Sequence, residues 1–230
     1  MRAGLVHRNA LAAWNLCRTY PEVWQQPFWN SIVVARDAQA HGAMQKLREL
    51  APLVALLSRR PPHVVVEIGT ARGGTLYAWC RIAREDATIV SIDLPGGRYG
   101  GGYTSSDERA FRRYGRGGQA LHFIRASSHD GNTLRRLEAI LGGHEVDFLF
   151  IDGDHTYEGV ERDFEMYSPL VGAGRPIALH DILPHPVDQA CEVDRFWRAI
   201  KDAYRHTEYV DPHRDEGGHQ YGGLGVLFQR

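Results

Sequence analysis

Cysteine is scarce in this chain: three residues, Cys17, Cys80 and Cys191, in a length of 230. They are far apart, odd in number and without C-x-x-C spacing. They read as core thiols rather than as a disulfide framework or zinc site, and they suit a reducing compartment. Net charge is equally slight, formally −1, with the arginines interspersed among acids as on a solvated surface. Nothing in that balance favours nucleic acid or a membrane surface as a partner. No apolar run approaches the length that spans a bilayer, and the N-terminus lacks the apolar core of a signal peptide. The expectation is a soluble, cytoplasmic protein. Internal repeats and long linkers are missing too, so the length suits one α/β domain with an appendage.

The informative stretch is His63-Val64-Val65-Val66-Glu67-Ile68-Gly69-Thr70-Ala71-Arg72-Gly73-Gly74-Thr75. A β-branched strand stops at a glycine loop, and a helix pattern (Leu76, Trp79, Ile82, Ala83) begins at once. Such a unit is expected to set bare backbone N–H groups and a positive helix end against a nucleotide-like ligand. A dinucleotide fingerprint, G-x-G-x-x-G, needs its middle glycine for close approach of the pyrophosphate, and here that place is Ala71. The chain instead has an acid two residues before the first glycine and Gly73 four residues after it. This E-x-G-x-x-x-G form resembles motif I of the class I S-adenosylmethionine-dependent methyltransferases. The resemblance implies cofactor contacts at Glu67, Gly69, Thr70, Gly73 and Gly74; a plain βα turn is the simpler alternative.

Residues 1–60 carry helical patterns and no strand pattern. Leu5, Leu11, Trp14 and Leu16 form one stretch, broken by Tyr20-Pro21 and Gln26-Pro27. Met44, Leu47, Leu50, Val54 and Leu57 form a second, ending at Arg59-Arg60-Pro61-Pro62. With Trp14, Trp24, Phe28 and Trp29, the segment reads as a helical cap, a substrate lid or a homo-oligomer contact. From residue 61 to 230 strands and helices alternate. Strand-like runs end at Ile68, Asp93, near Ile124, at Asp152 and at Leu179, and Gly223–Phe228 is expected to close the sheet as an edge strand. Near-continuous apolar strands separated by helices predict an α/β fold, a mostly parallel sheet with helices on both faces; the resemblance to the class I methyltransferases implies that this sheet is Rossmann-like and seven-stranded.

Ligands of open parallel sheets bind beyond the carboxyl ends of the strands. Asp93, ending the second strand, is placed to accept both hydroxyls of a ribose; capping the next loop is its other reading. Ser127 and Ser128 follow the third strand, where the resembling enzymes line the adenine pocket. Asp152-Gly153-Asp154-His155 follows the fourth, and His180-Asp181 the fifth. Crowded carboxylates repel and raise one another's pKa unless a cation neutralises them. Mg²⁺ is the usual oxygen-loving choice, with Mn²⁺ admitted by the imidazole of His180. Asp154 and Thr156 alternatively serve as helix caps.

The run Phe150–Val160, with Pro169-Leu170 and Ile177–Ile182 behind it, resembles the methyltransferase group (methyltransferase family 24-like) that holds cephalosporin hydroxylase-like proteins. That group is similar to metal-dependent O-methyltransferases of macrolide sugars. The resemblance covers roughly residues 45–228 and implies S-adenosylmethionine as cofactor and a divalent ion on Asp152, His180 and Asp181, Asp152 also reaching the cofactor. The group usually has Asp or Glu where this chain has His180. It also implies His155, three residues after the first aspartate, as the base; His185, between Pro184 and Pro186, is the reserve candidate. The expected activity is O-methylation of a hydroxylated small molecule, a sugar or secondary metabolite. A nicotinamide-dependent oxidoreductase, a hydroxylase-like enzyme and a non-catalytic cofactor-binding partner subunit are the alternatives.

Overall fold

The computed structural model describes residues 28–96, 102–186 and 190–230. The first helical stretch with Leu5, Leu11, Trp14 and Leu16, and also Cys17 and Trp24, lies outside the described residues. So do parts of the Pro95–Tyr103 loop and of the segment after Pro184.

Fourteen elements carry the fold in the order α1 (Phe28–Ala40), α2 (Leu47–Ser58), β1 (Val64–Ile68), α3 (Gly74–Ile82), β2 (Thr88–Asp93), α4 (Ser105–Phe111), β3 (Ala120–Arg125), α5 (Gly131–Leu141), β4 (Phe148–Ile151), α6 (Tyr157–Tyr167), β5 (Pro176–Leu183), α7 (Val193–Ile200), β6 (Arg205–Tyr209) and β7 (Gly222–Phe228). They form one seven-stranded sheet ordered β3-β2-β1-β4-β5-β7-β6, with β7 antiparallel to both neighbours. The expected α/β architecture is therefore present.

The apolar strands read as continuous because each face is covered. In β1 Val65 packs on one side, while Val64, Val66 and Ile68 pack on the other; in β4 Phe148 and Phe150 oppose Leu149 and Ile151. One face is covered by α1, α2 and α3, whose Ile32, Leu50, Leu53, Val54 and Trp79 are buried with it. The other is covered by α5, α6 and α7 through Leu137, Phe164, Phe196 and Trp197. Residues 28–60 thus share the hydrophobic core of the sheet. No described helix is long and apolar enough to cross a membrane.

Two expectations are corrected. Gly223–Phe228 is not an edge strand: β7 lies between β5 and β6, and β6 forms the edge. The sequence of β6, Arg-His-Thr-Glu-Tyr, is mostly polar because an edge is half solvated. The fifth strand also runs past Leu179, so that His180 and Asp181 lie inside it, at a pairing irregularity between His180 and Leu183. Asp181 has φ +60°. Regular alternation sends neighbouring side chains to opposite faces; this left-handed residue breaks the alternation, and Ile182 packs on the same side as Leu179.

Candidate active site

A cavity of about 330 Å³ opens at the carboxyl ends of β1, β2, β3 and β4. This volume suits a small organic ligand. Gly69, Thr70, Gly74, Asp93, Ser127, Ser128, Asp152 and His155 line it, as does Gln45 from the segment before α2. Glu67, Gly73, His180, Asp181 and His185 do not.

The glycine loop is built differently from the expectation of bare amides. Gly69 N–H donates to the Ile92 carbonyl and Gly73 N–H to the Thr70 carbonyl. Thr70 and Ala71 N–H both donate to Asp93 Oδ2, at 2.9 and 2.6 Å. These four amides are consumed inside the fold and are not available to cradle a phosphate. Burial raises the Asp93 carboxyl above its ordinary pKa, and the loop amides oppose that rise. Gly69, at φ +85°, is required by close approach: a Cβ there would lie 1.9 Å from the Asp152 carbonyl oxygen.

Glu67 sits under the loop rather than on the cavity. Its two oxygens accept from Thr70 Oγ1 and Trp79 Nε1, each at 2.7 Å. The Thr70 hydroxyl also meets Ser91, which donates to the Tyr103 hydroxyl. Complete burial pushes Glu67 up to about 7, against the hydrogen bonds from Thr75, Thr70 and Trp79. This motif acid therefore braces the loop.

After β3, Ser127 Oγ accepts the His129 N–H, and the Ser128 carbonyl accepts the Tyr167 hydroxyl. His129 Nε2 lies 3.2 Å from Asp163 Oδ1 and is raised by that hydrogen bond. Asp154 accepts both the N–H and the hydroxyl of Thr156, and Thr156 caps α6.

At the opposite end Asp152 and His155 line the cavity, and behind them His180 and Asp181 complete a group of two carboxylates interleaved with two imidazoles. His155 Nε2 is 3.3 Å from Asp152 Oδ1 and its Nδ1 is 3.5 Å from Asp181 Oδ2. His180 Nδ1 is 3.2 Å from Asp152 Oδ1 and 3.4 Å from Asp181 Oδ2. The carboxylates are thus not uncompensated, as the sequence suggested, because the imidazoles carry the opposing charge. Burial disfavours that charge on His155, but Asp152, Cys191 and Asp181 override it and raise the residue to about 10. His180 is likewise raised by Asp181 and Asp152 against burial, while Asp181 is held well below the usual range, chiefly by His180 against burial. Ligand atoms of Asp152, His180 and Asp181 lie within 4.8 Å of one another, and so do those of His155, Asp181 and Cys191. Two carboxylates and an imidazole, with Asp152 alone of the three on the cavity wall, are a donor set that fits a divalent ion. His185 has its ring 5.5 Å from that of Tyr221 and acts electrostatically on Asp181, helping to hold that carboxyl down.

Residues 66–182 match the family described as Methyltransferase domain. The chain belongs to this class I S-adenosylmethionine-dependent methyltransferase family. An uncharacterised protein of Acanthamoeba polyphaga mimivirus is 29% identical over 116 residues, 50% of this chain and 50% of that protein. The aligned part thus spans about half the length of that curated relative. An O-methyltransferase from Bacillus cereus, solved with S-adenosylhomocysteine, shares the fold at TM-score 0.58 and 16% identity, covering 92% of this chain and 96% of the other. TomG, an O-methyltransferase from Streptomyces achromogenes involved in tomaymycin synthesis, solved with S-adenosylmethionine, does so at 0.56 and 18%, covering 92% and 95%.

Sequence reasoning missed Gln45 and Glu49. Gln45 is buried and its Nε2 donates to Asp152 Oδ2 at 2.8 Å. Glu49 is an acid on the apolar stripe of α2, and that misplaced charge was the signal available.

Proposed function

We propose that this methyltransferase domain carries out metal-assisted O-methylation of a hydroxylated small molecule, a sugar or secondary metabolite. The observation that carries the reading is one cavity with two chemically different ends. At one end Asp93 lies on the cavity wall beside the Gly69–Gly74 loop and Ser127-Ser128, where a carboxylate can meet the hydroxyls of a ribose. At the other, Asp152 and His155 open onto the space where an acceptor would lie. The O-methyltransferase descriptions of the two similar structures agree with this reading.

Asp152, His180 and Asp181 would hold the ion. A divalent ion held there would supply Lewis-acid chemistry, lowering the pKa of an acceptor hydroxyl, and would offset the charge of the two carboxylates. With the carboxylates so offset, His155 would give up its proton more readily, and its Nε2 beside the cavity would serve as the base. The Gln45 hydrogen bond fixes the Asp152 carboxylate. Orienting the hydroxyl in line with the methyl donor is the larger contribution, on the order of 7–11 kcal/mol in well-oriented systems.

Calorimetric titration with S-adenosylhomocysteine, with Mn²⁺ and in chelator, followed by methyl-transfer assays on hydroxylated sugars and phenols, tests this. Cofactor binding with metal-dependent turnover is expected. Equal turnover in chelator would remove the metal, and failure to bind the cofactor would remove the reading.

A further inference from the structure

Glu49 lies ahead of the family-matched residues 66–182, on α2, yet reaches the centre of the site. It is fully buried, at 0% exposure, where a carboxylate is costly unless partnered. Its Oε2 accepts the Lys46 backbone N–H at 3.0 Å and faces His180 Nε2 at 3.9 Å. Its Oε1 has no hydrogen-bond partner and stands 3.9 Å from Lys46 Nζ.

His180 therefore lies between three carboxylates, with Nε2 toward Glu49 and Nδ1 toward Asp152 and Asp181. The two ring nitrogens are not equivalent. When the proton sits on Nε2, facing Glu49, the Nδ1 lone pair is bare and points into the Asp152–Asp181 pair. A ligating histidine whose other nitrogen faces a carboxylate is the arrangement that fixes tautomer and ring orientation at metal centres. Gln45 adds a second observation: its Nε2 holds Asp152 Oδ2, while its buried Oε1, on the cavity wall, has no partner.

We propose that Glu49 is a positioning residue that presents His180 Nδ1 as the nitrogen ligand of a centre completed by Asp152 and Asp181, and that this centre selects a first-row transition ion over Mg²⁺. The inference rests on the metal-assisted reading above. Mg²⁺ keeps oxygen ligands and water, whereas imidazole nitrogen suits Mn²⁺, Fe²⁺ and Co²⁺ progressively better. The neighbouring set His155, Asp181 and Cys191 competes for the same ion and would add sulfur.

The full chain, with S-adenosylhomocysteine present, is titrated calorimetrically with Mn²⁺, Co²⁺ and Mg²⁺, and the Mn²⁺ protein is examined by pulsed electron paramagnetic resonance. Mn²⁺ and Co²⁺ should bind at least about tenfold tighter than Mg²⁺, with a directly bound nitrogen coupled to Mn²⁺ that His180→Ala removes. Glu49→Ala should weaken Mn²⁺ binding about 10–100-fold and leave S-adenosylhomocysteine affinity unchanged; Glu49→Gln, which keeps an acceptor oxygen but no charge, should lose several-fold. Should the alanine variant not fold, the glutamine variant decides alone. Wild-type Mn²⁺ affinity without Glu49, no nitrogen coupling, or Mg²⁺ bound as tightly as Mn²⁺ overturns the proposal and leaves metal assistance standing. A thiolate-to-cobalt absorption band lost in Cys191→Ser also overturns it, by assigning the ion to the other set. No ion bound while S-adenosylhomocysteine still binds brings down both this proposal and metal assistance.

Discussion

Asp93 Oδ2 accepts the N–H groups of Thr70 and Ala71 together, so the end of β2 holds the loop that follows β1. Hydrogen bonds to a charged acceptor contribute about 1.5–3 kcal/mol each. Asp93→Ala should therefore lower both cofactor affinity and stability. We expect a loss of S-adenosylhomocysteine affinity of about 10–100-fold, read by calorimetry. Affinity within twofold of wild type would show that the loop holds its shape without the carboxylate.

Gly69→Ala should be among the most damaging small substitutions. It places a side chain at φ +85° and a Cβ 1.9 Å from the Asp152 carbonyl. Left-handed strain and overpacking together should cost about 2–5 kcal/mol, measured by urea unfolding. Gly174 provides the control: it has φ +72° with open space around the Cβ position. Gly174→Ala should cost only about 1–2 kcal/mol.

Glu67 gives a pH signature with a definite sign. Its native pKa, about 7, stands above the ordinary value of 4.5. Between those values the native state binds more protons than the unfolded state, so stability from this group falls as pH rises through the window. Glu67→Gln should remove that slope. It should also be less stable at pH 5 by about 1–3 kcal/mol, because both oxygens of the protonated carboxyl can still accept from Thr70 and Trp79, whereas the amide NH₂ cannot accept. Unfolding curves collected across this pH range check both parts.

His155→Ala should reduce kcat by about 10²–10⁴-fold, the usual range for losing a general base. Affinity for S-adenosylhomocysteine should change little, since the imidazole contacts the acidic pair rather than the loop end of the cavity. Turnover close to wild type would transfer the proton to another group.

Much of this protein is legible in its sequence by itself. Val64–Ile68, Thr88–Asp93 and Phe148–Ile151 are apolar on both sides, and the helix-length patterns between them demand a parallel sheet covered on two faces. Burial of alternate residues is a local property, and the sequence displays it. The glycine loop, Asp93, Asp152 and His180-Asp181 are likewise visible as residues at strand ends. Only the tertiary structure decided how they are used. Strand β6 is too polar to announce itself and exists because β7 pairs with it. The loop amides turn to Asp93 through a contact between residues more than twenty positions apart. Asp181 joins His180 at the site because a left-handed residue breaks the alternation of β5, a choice that its side-chain type permits but does not dictate. Glu49 reaches His180 across the fold, from α2 to β5. Proton affinities at the site follow from such through-space partners and from burial, and neither is encoded in neighbours along the chain.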